Sequence, residues 1–95
     1  MIYKLVTPLK TRHVEPWAEA VRLDKAWDKS HPAFEATLTR RAIEFGWFDG
    51  EAPVVDELPP AETVEIGTML LDAYSKAMEF DKKNSPARSR PTPKG

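Results

Sequence analysis

The two histidines, His13 and His31, are the first candidates for chemistry in this chain of 95 residues. Neither belongs to an H-x-x-x-H or H-E-x-x-H pattern, the spacing that places two zinc ligands on one helix face. The chain has no cysteine, so a nucleophile would be a Ser or Thr activated by one of these imidazoles. Ser30 precedes His31, but adjacency in sequence does not supply that geometry. We assign both histidines structural or surface roles and expect that the protein is not an enzyme.

Acidic residues are the second candidates, because carboxylate oxygens are the ligands that Ca²⁺ and Mg²⁺ prefer. Four of them fall close together, at Asp49, Glu51, Asp56 and Glu57. Their spacing does not match an EF-hand loop, and the nearby glycines form no G-x-G-x-x-G or Walker pattern. This stretch is interpreted as a solvated acidic loop, and the sequence predicts neither a metal nor a cofactor.

Charge is distributed unevenly along the chain, although its net value is only −1. Residues 1–81 carry nine Lys or Arg and fifteen Asp or Glu, whereas residues 82–95 carry five Lys or Arg and no acid. An acidic body lacks the clustered cations with which nucleic-acid-binding folds neutralise phosphates. We therefore do not expect nucleic acid as a partner. The basic, Pro- and Ser-rich segment 84–95 is predicted to be a disordered tail.

The sequence also lacks the features of secreted and membrane proteins. No apolar run approaches the roughly 20 residues of a membrane span. The first residues have no signal-peptide pattern, and the absence of cysteine excludes a disulfide framework. A soluble, cytoplasmic protein without a membrane partner is the expectation.

Two of three predicted helices lie in the first half of the chain. The first is predicted to begin at Glu15-Pro16, because proline suits the first helical position, and to end at Ser30-His31-Pro32. The second is predicted to begin after an N-cap at Ser30 and to end at Gly46, where glycine adopts the left-handed conformation cheaply. The large aromatics Trp47 and Phe48 then occupy a turn.

The third helix is the longest and has the strongest signal. It is predicted to run from Pro60 to about Lys83, with the acidic residues of its first turn favouring the positive end of its dipole. Before the first helix, Ile2 to Val6 is β-branched and aromatic, which predicts a short edge strand or an extended arm. Val54-Val55 is the only other strand candidate.

These elements predict a mainly α fold, a small three-helix bundle with a short extended N-terminal arm and a disordered C-terminal tail. Residues 1–83 would form a single helical domain and residues 84–95 the tail. The predicted core consists of the large apolar side chains at helical spacing: Trp17, Leu23, Trp27, Phe34, Leu38, Phe45, Leu70, Leu71, Tyr74 and Met78.

Residues for a protein partner come from the aromatic turn and the third helix. Trp47 and Phe48 either close the open end of the bundle or anchor a partner, since Trp is enriched among interface hot spots. Gly67 costs about 1 kcal/mol in a helix interior relative to Ala, so it predicts a close helix approach within the bundle or between subunits. The full candidate set is Trp47, Phe48, Gly67, Leu70, Leu71, Tyr74 and Met78.

The opening Ile2–Lys10 is similar to a K-L-x-x-P-L/I start, and it is followed by Ala42–Trp47, Leu58–Pro60 and a final helix containing Asp72–Ala77. In this succession the chain resembles the small tail assembly chaperones of long-tailed bacteriophages. The resemblance covers most of residues 1–83. The ending Thr92–Gly95 is compatible with a slippery codon run for a −1 frameshift.

The resemblance implies a non-enzymatic protein that binds apolar helical segments of the tape-measure protein in the host cytoplasm during tail assembly, with a homo-oligomer left open. Two other functions stay open. A small virion structural protein, such as a head–tail or tail-completion component, would remain in the finished particle. A small helical regulator using its basic tail on DNA ranks last, because the folded part is acidic.

Overall fold

The computed structural model describes residues 3–83, with side chains as far as residue 79. Its helices are α1 (Thr11–Leu23), α2 (Ala33–Glu44) and α3 (Pro60–Lys83). Two short 3-10 helices, Ala26–Asp28 and Val55–Glu57, lie in the connections. The prediction of a mainly α fold with three helices is confirmed. The predicted disordered tail, residues 84–95, lies outside the described residues.

The described part of the chain has no helix with the length and apolar character needed to cross a lipid bilayer.

The start of α1 differs from the prediction, because Pro16 lies inside the helix and not at its first position. Lys10, with extended backbone, precedes the helix, and its carbonyl accepts hydrogen bonds from the N–H groups of His13 (2.8 Å) and Val14 (3.0 Å). The His13 Nδ1 atom accepts a hydrogen bond from the Lys10 N–H at 3.0 Å. This side-chain contact satisfies a free N–H at the helix start, which is the role of a capping residue.

The end of α1 also differs from the prediction, and this changes the core. The helix stops at Leu23, and Lys25 has a left-handed backbone with φ 57°. The residues after Lys25 therefore do not continue the helical periodicity of α1. Ala26 is buried, whereas Trp27 is 55% exposed and Leu23 is 65% exposed. Their predicted core positions were wrong.

Helix α2 begins close to the predicted position, but Pro32 and not Ser30 occupies its N-cap position, without a side-chain cap. At the other end Gly46 has φ +77°, so the predicted left-handed glycine is confirmed. The next N–H, that of Trp47, donates to the Ala42 carbonyl at 2.9 Å. This turn brings Trp47 back against the bundle.

The N-terminal arm forms one isolated antiparallel bridge, between Leu5 and Phe48. The Val6 N–H donates to the Trp47 carbonyl, and the Asp49 N–H donates to the Lys4 carbonyl, both at 2.8 Å. Within residues 3–83 there is no longer strand, and Val55 instead begins a 3-10 turn.

The core is formed by all three helices and by the segment after α2. Its fully buried hydrophobic side chains are Trp17, Val21, Ala26, Leu38, Ala42, Trp47, Ile66 and Leu70. Of the predicted core, Trp17, Leu38 and Leu70 are confirmed. Four others are half-buried against it: Phe34, Phe45, Leu71 and Tyr74. Met78 is 43% exposed, so its predicted core position was wrong.

Candidate functional site

An open groove runs between α1 and the C-terminal half of α3. Its volume is about 1370 Å³, above the range of roughly 300–1,000 Å³ that is usual for small-molecule pockets. The apolar side chains that line it include Leu9, Val14, Ala18, Tyr74, Ala77 and Met78. A groove of this size and lining fits a peptide segment better than a small metabolite.

The α3 wall of the groove is held in place by the core. The Tyr74 ring packs against the Trp17 indole with ring centroids 5.3 Å apart. Trp17 is fully buried, and its Nε1–H donates to the Leu38 carbonyl at 3.1 Å. The half-buried Tyr74 and the exposed Met78 therefore present apolar surface from a fixed helix.

The side of the groove that α1 forms has two small apolar side chains at the floor and charged side chains at the rim. Val14 and Ala18 are half-buried, one helical turn apart, and face the groove. Glu15 also lines it, as do Glu19 and Arg22, which form an ion pair with each other. The rim therefore carries both signs of charge around an apolar floor, a pattern typical of protein interfaces.

His13 lies at the start of this wall and links it to the core. Its pKa is lowered by desolvation and, to a smaller extent, by the nearby charges of Arg12 and Lys10. The neutral imidazole leaves Nδ1 free to accept the Lys10 N–H, as described above. The His13 carbonyl accepts a hydrogen bond from Trp47 Nε1–H at 2.8 Å. Through these two hydrogen bonds His13 positions one wall of the groove.

The aromatic turn occupies the interior of the bundle. Trp47 is fully buried, with its ring centroid 4.6 Å from that of Trp17. Phe48 is half-buried and makes an edge contact with Tyr3 of the arm, at a centroid distance of 6.3 Å. Trp47 therefore closes the bundle and offers no surface to a partner in this structure.

Gly67 marks a close approach between α2 and α3, inside the bundle. A Cβ atom placed on Gly67 would lie 2.9 Å from the Glu35 Cα and closer still to its side chain. Leu70 is fully buried one turn later, and Leu71 is half-buried without lining the groove. Gly67 and Leu70 are thus packing residues here, and of the predicted partner residues only Tyr74 and Met78 line the groove.

The sequence-based candidate set lacked most of the groove residues, among them the apolar Leu9, Val14, Ala18 and Ala77. The spacing of Val14 and Ala18 was a usable signal, because residues four apart lie on one helix face. It was hidden by the assumption that the helix starts at Pro16. Ala77 is small, so its role as part of a groove floor becomes visible only when α1 is placed opposite it.

Glu35 is the most buried acidic residue of the described chain. It is 2% exposed, and one of its carboxylate oxygens bonds to Nδ1 of His31. The other oxygen, Oε1, has no hydrogen-bond partner among the described residues. Burying a polar oxygen without a hydrogen bond costs free energy of folding. The close contact between Glu35 and Gly67 therefore allows little variation in how α2 and α3 pack.

Ion pairs fix the corner between α1 and α2. Both carboxylate oxygens of Asp24 accept hydrogen bonds from Arg41, from Nε at 2.7 Å and from Nη2 at 2.9 Å. Hydrogen bonding from this guanidinium lowers the pKa of Asp24 and raises that of Arg41. Glu44 adds a further bond to Arg41 at 2.7 Å. This bidentate geometry links the end of α1 to α2.

The predicted acidic loop contains no assembled cation site. Asp56 pairs with Arg40 at 2.6 Å, and no group of three or more His, Asp or Glu residues in the described part of the chain is arranged to hold a metal ion.

Comparison of the chain with protein-family models, with curated proteins and with solved structures finds no match.

Proposed function

We propose that this protein is a non-enzymatic assembly chaperone that binds apolar helical segments of a longer protein in the groove between α1 and α3. The observation that carries the proposal is the groove itself. It is open and largely apolar, has a volume of about 1370 Å³ and carries charges of both signs at its rim. Amphipathic helices bind by placing an apolar stripe into such grooves.

The resemblance to phage tail assembly chaperones supplies the partner for this proposal. The tape-measure protein is long and helical in that family, and several copies of a small chaperone along it would gain avidity from weak individual contacts. We therefore propose the tape-measure protein as the partner and the host cytoplasm as the location. A neighbouring reading frame of tape-measure size is a requirement of this proposal, and its absence would contradict it.

The direct test measures binding of peptides of about 20 residues, tiled along the neighbouring large reading frame, to the full chain by isothermal titration calorimetry. Met78→Arg places a charge on the exposed groove residue and is expected to weaken binding at least about tenfold, since it opposes burial of an apolar stripe. Ser75→Arg is the matched control, because Ser75 is exposed on the same helix but does not line the groove.

The two variants separate groove binding from nonspecific charge effects. Equal affinities for Met78→Arg and Ser75→Arg would place the binding site elsewhere and contradict the proposal. Far-UV circular dichroism of both variants verifies that the helices are intact.

A further inference from the structure

The part of the groove nearest the start of α1 is positioned by a side chain that does not line it. His13 is half-buried, and the residues before and after it, Arg12 and Val14, both line the groove. Its Nδ1 atom accepts the Lys10 N–H at 3.0 Å, and its carbonyl accepts the Trp47 Nε1–H at 2.8 Å. A change at His13 therefore reaches the surface that an occupant of the groove would contact.

The hydrogen bond to the imidazole exists in only one protonation state. A neutral imidazole has one nitrogen that accepts a hydrogen bond, whereas the imidazolium has two donors and no acceptor. A proton on His13 therefore sets its Nδ1–H against the Lys10 N–H, and this N–H at the helix start loses its partner. The same first turn carries the bond from the Val14 N–H to the Lys10 carbonyl. Protonation of His13 is thus expected to loosen the turn that places Val14 in the groove.

The surroundings of the imidazole favour its neutral form. Desolvation and the charges of Arg12 and Lys10 lower the pKa of His13. The charged side chains on the α1 side of the groove are Lys10, Arg12, Glu15, Glu19 and Arg22. The other elements around it contribute groups that are uncharged near neutral pH: Pro8 and Leu9 of the arm, Trp47 after α2, and Tyr74, Ala77 and Met78 of α3. The folded protein therefore favours the form of His13 that accepts the Lys10 N–H.

We propose that the groove binds a helical segment tightly when His13 is neutral and releases it when His13 takes up a proton. This inference rests on the proposed function, because it concerns binding in the same groove. Coupling between two binding equilibria is reciprocal. An occupant that packs against Val14 stabilises the first turn of α1, and with it the neutral imidazole.

The test measures peptide affinity on both sides of the His13 titration. NMR of the imidazole in the full chain gives its midpoint, and isothermal titration calorimetry with the tiled peptides follows at about one pH unit above and about one below it. We expect binding to be about fivefold weaker at the lower pH, the effect of a lost helix cap. By reciprocity, a saturating peptide should lower the pKa of His13 by about 0.7.

Two substitutions separate the hydrogen bond from the charge. Glutamine at this helical position accepts the N–H that precedes the helix, but it does not titrate. His13→Gln should therefore bind as the wild type does at the higher pH and should lose the fivefold change, which also controls for titration of His31 and of the peptide. His13→Ala lacks the acceptor and should bind about fivefold more weakly at both pH values. Far-UV circular dichroism verifies that the helices of both variants are intact.

The outcomes distinguish this inference from the proposed function. Equal affinity of the wild type at both pH values, or a His13→Gln variant that keeps the full pH dependence, would overturn the inference and leave groove binding intact. Failure of every peptide to bind at either pH would contradict the proposed function, and the protein alone then tests the coupling. The methyl resonances of Val14 and Ala18 should titrate with the imidazole in the wild type and not in His13→Gln. Methyl resonances that stay constant while the imidazole titrates would overturn it.

Discussion

At the residue scale, Gly67 is the position where the absence of a single Cβ atom most clearly decides how closely two helices pack. Its missing side chain lets α3 approach the Glu35 backbone of α2, and an added Cβ would lie 2.9 Å from the Glu35 Cα. The backbone of a helix cannot move away as freely as the end of a flexible side chain. The contact also encloses the Glu35 carboxyl group, one of whose oxygens has no hydrogen-bond partner among the described residues, so a shift at Gly67 affects a buried polar group.

We predict that Gly67→Ala destabilises the protein, although alanine favours the helix by about 1 kcal/mol relative to glycine. Overpacking costs about 1–3 kcal/mol, so a net loss of about 1 kcal/mol in the free energy of unfolding is expected. Urea unfolding followed by far-UV circular dichroism measures it. Ser75→Ala on the exposed face of α3 is the control and should be neutral or slightly stabilising. A stabilised Gly67→Ala would mean that α2 and α3 are not in close contact.

At the element scale, the start of α1 depends on a side chain that can take up a proton, that of His13. The neutral His13 ring accepts the Lys10 N–H, and a proton on Nδ1 would turn this acceptor into a donor. Desolvation lowers the pKa of His13 below its ordinary value near 6.5. The unfolded chain therefore binds the proton more readily than the folded protein, and folding stability rises with pH across this interval.

We predict that the contribution of His13 is fully present above about pH 6.5 and is lost as pH falls through its lower folded pKa. Above pH 6.5, His13→Ala should lower stability by about 1 kcal/mol, the effect of a lost helix cap. NMR titration of the imidazole measures its pKa, and urea unfolding of the wild type and of His13→Ala at several pH values measures the free energy of unfolding. His31→Ala is the control and should retain this response. A His13 pKa above 6.5 would contradict the prediction.

The same element shows how far sequence reasoning extends. Helix α3 was predicted with its observed bounds, because Pro60 and a long apolar stripe define it locally. The start of helix α1 was predicted too late in the chain, because Pro16 suits a helix start and the contact between His13 and Lys10 has no strong sequence signature. Trp27 was placed in the core by helical spacing, whereas the left-handed Lys25 ends that spacing.

The candidate site was less predictable than the fold, because it depends on how helices meet. Tyr74 and Met78 were recognised from α3 alone, and both line the groove. The α1 wall required the spatial relation of two elements distant in the chain. The burial of Trp47 likewise follows from long-range contacts, since its indole bonds to the His13 carbonyl.

At the scale of the whole molecule, the N-terminal arm contacts the core and lies beside two apolar grooves. A second groove of about 530 Å³ lies between the arm and α3, and Pro8, Leu9 and Ala77 line both it and the larger groove. The arm thus lies between the two grooves, and both grooves run along α3. It is attached by two backbone hydrogen bonds to the segment around Trp47, and so its removal should affect the core and the grooves together.

We predict that a variant lacking residues 2–9, which include the Pro8 and Leu9 that line both grooves, keeps its helices but loosens Trp47 and merges the two grooves. The arm contributes no helical residue, so far-UV circular dichroism should change little, while tryptophan fluorescence should shift to the red as water reaches the indole. The merged groove should bind a hydrophobic dye more strongly than the intact protein. Lys4→Ala is the matched control, because it removes an exposed arm side chain that lines neither groove and keeps the backbone groups of both hydrogen bonds. Unchanged fluorescence and dye binding in the truncated variant would show that the arm neither covers Trp47 nor divides the groove, and the apolar surface offered to a helical partner would then be set by α1 and α3 alone.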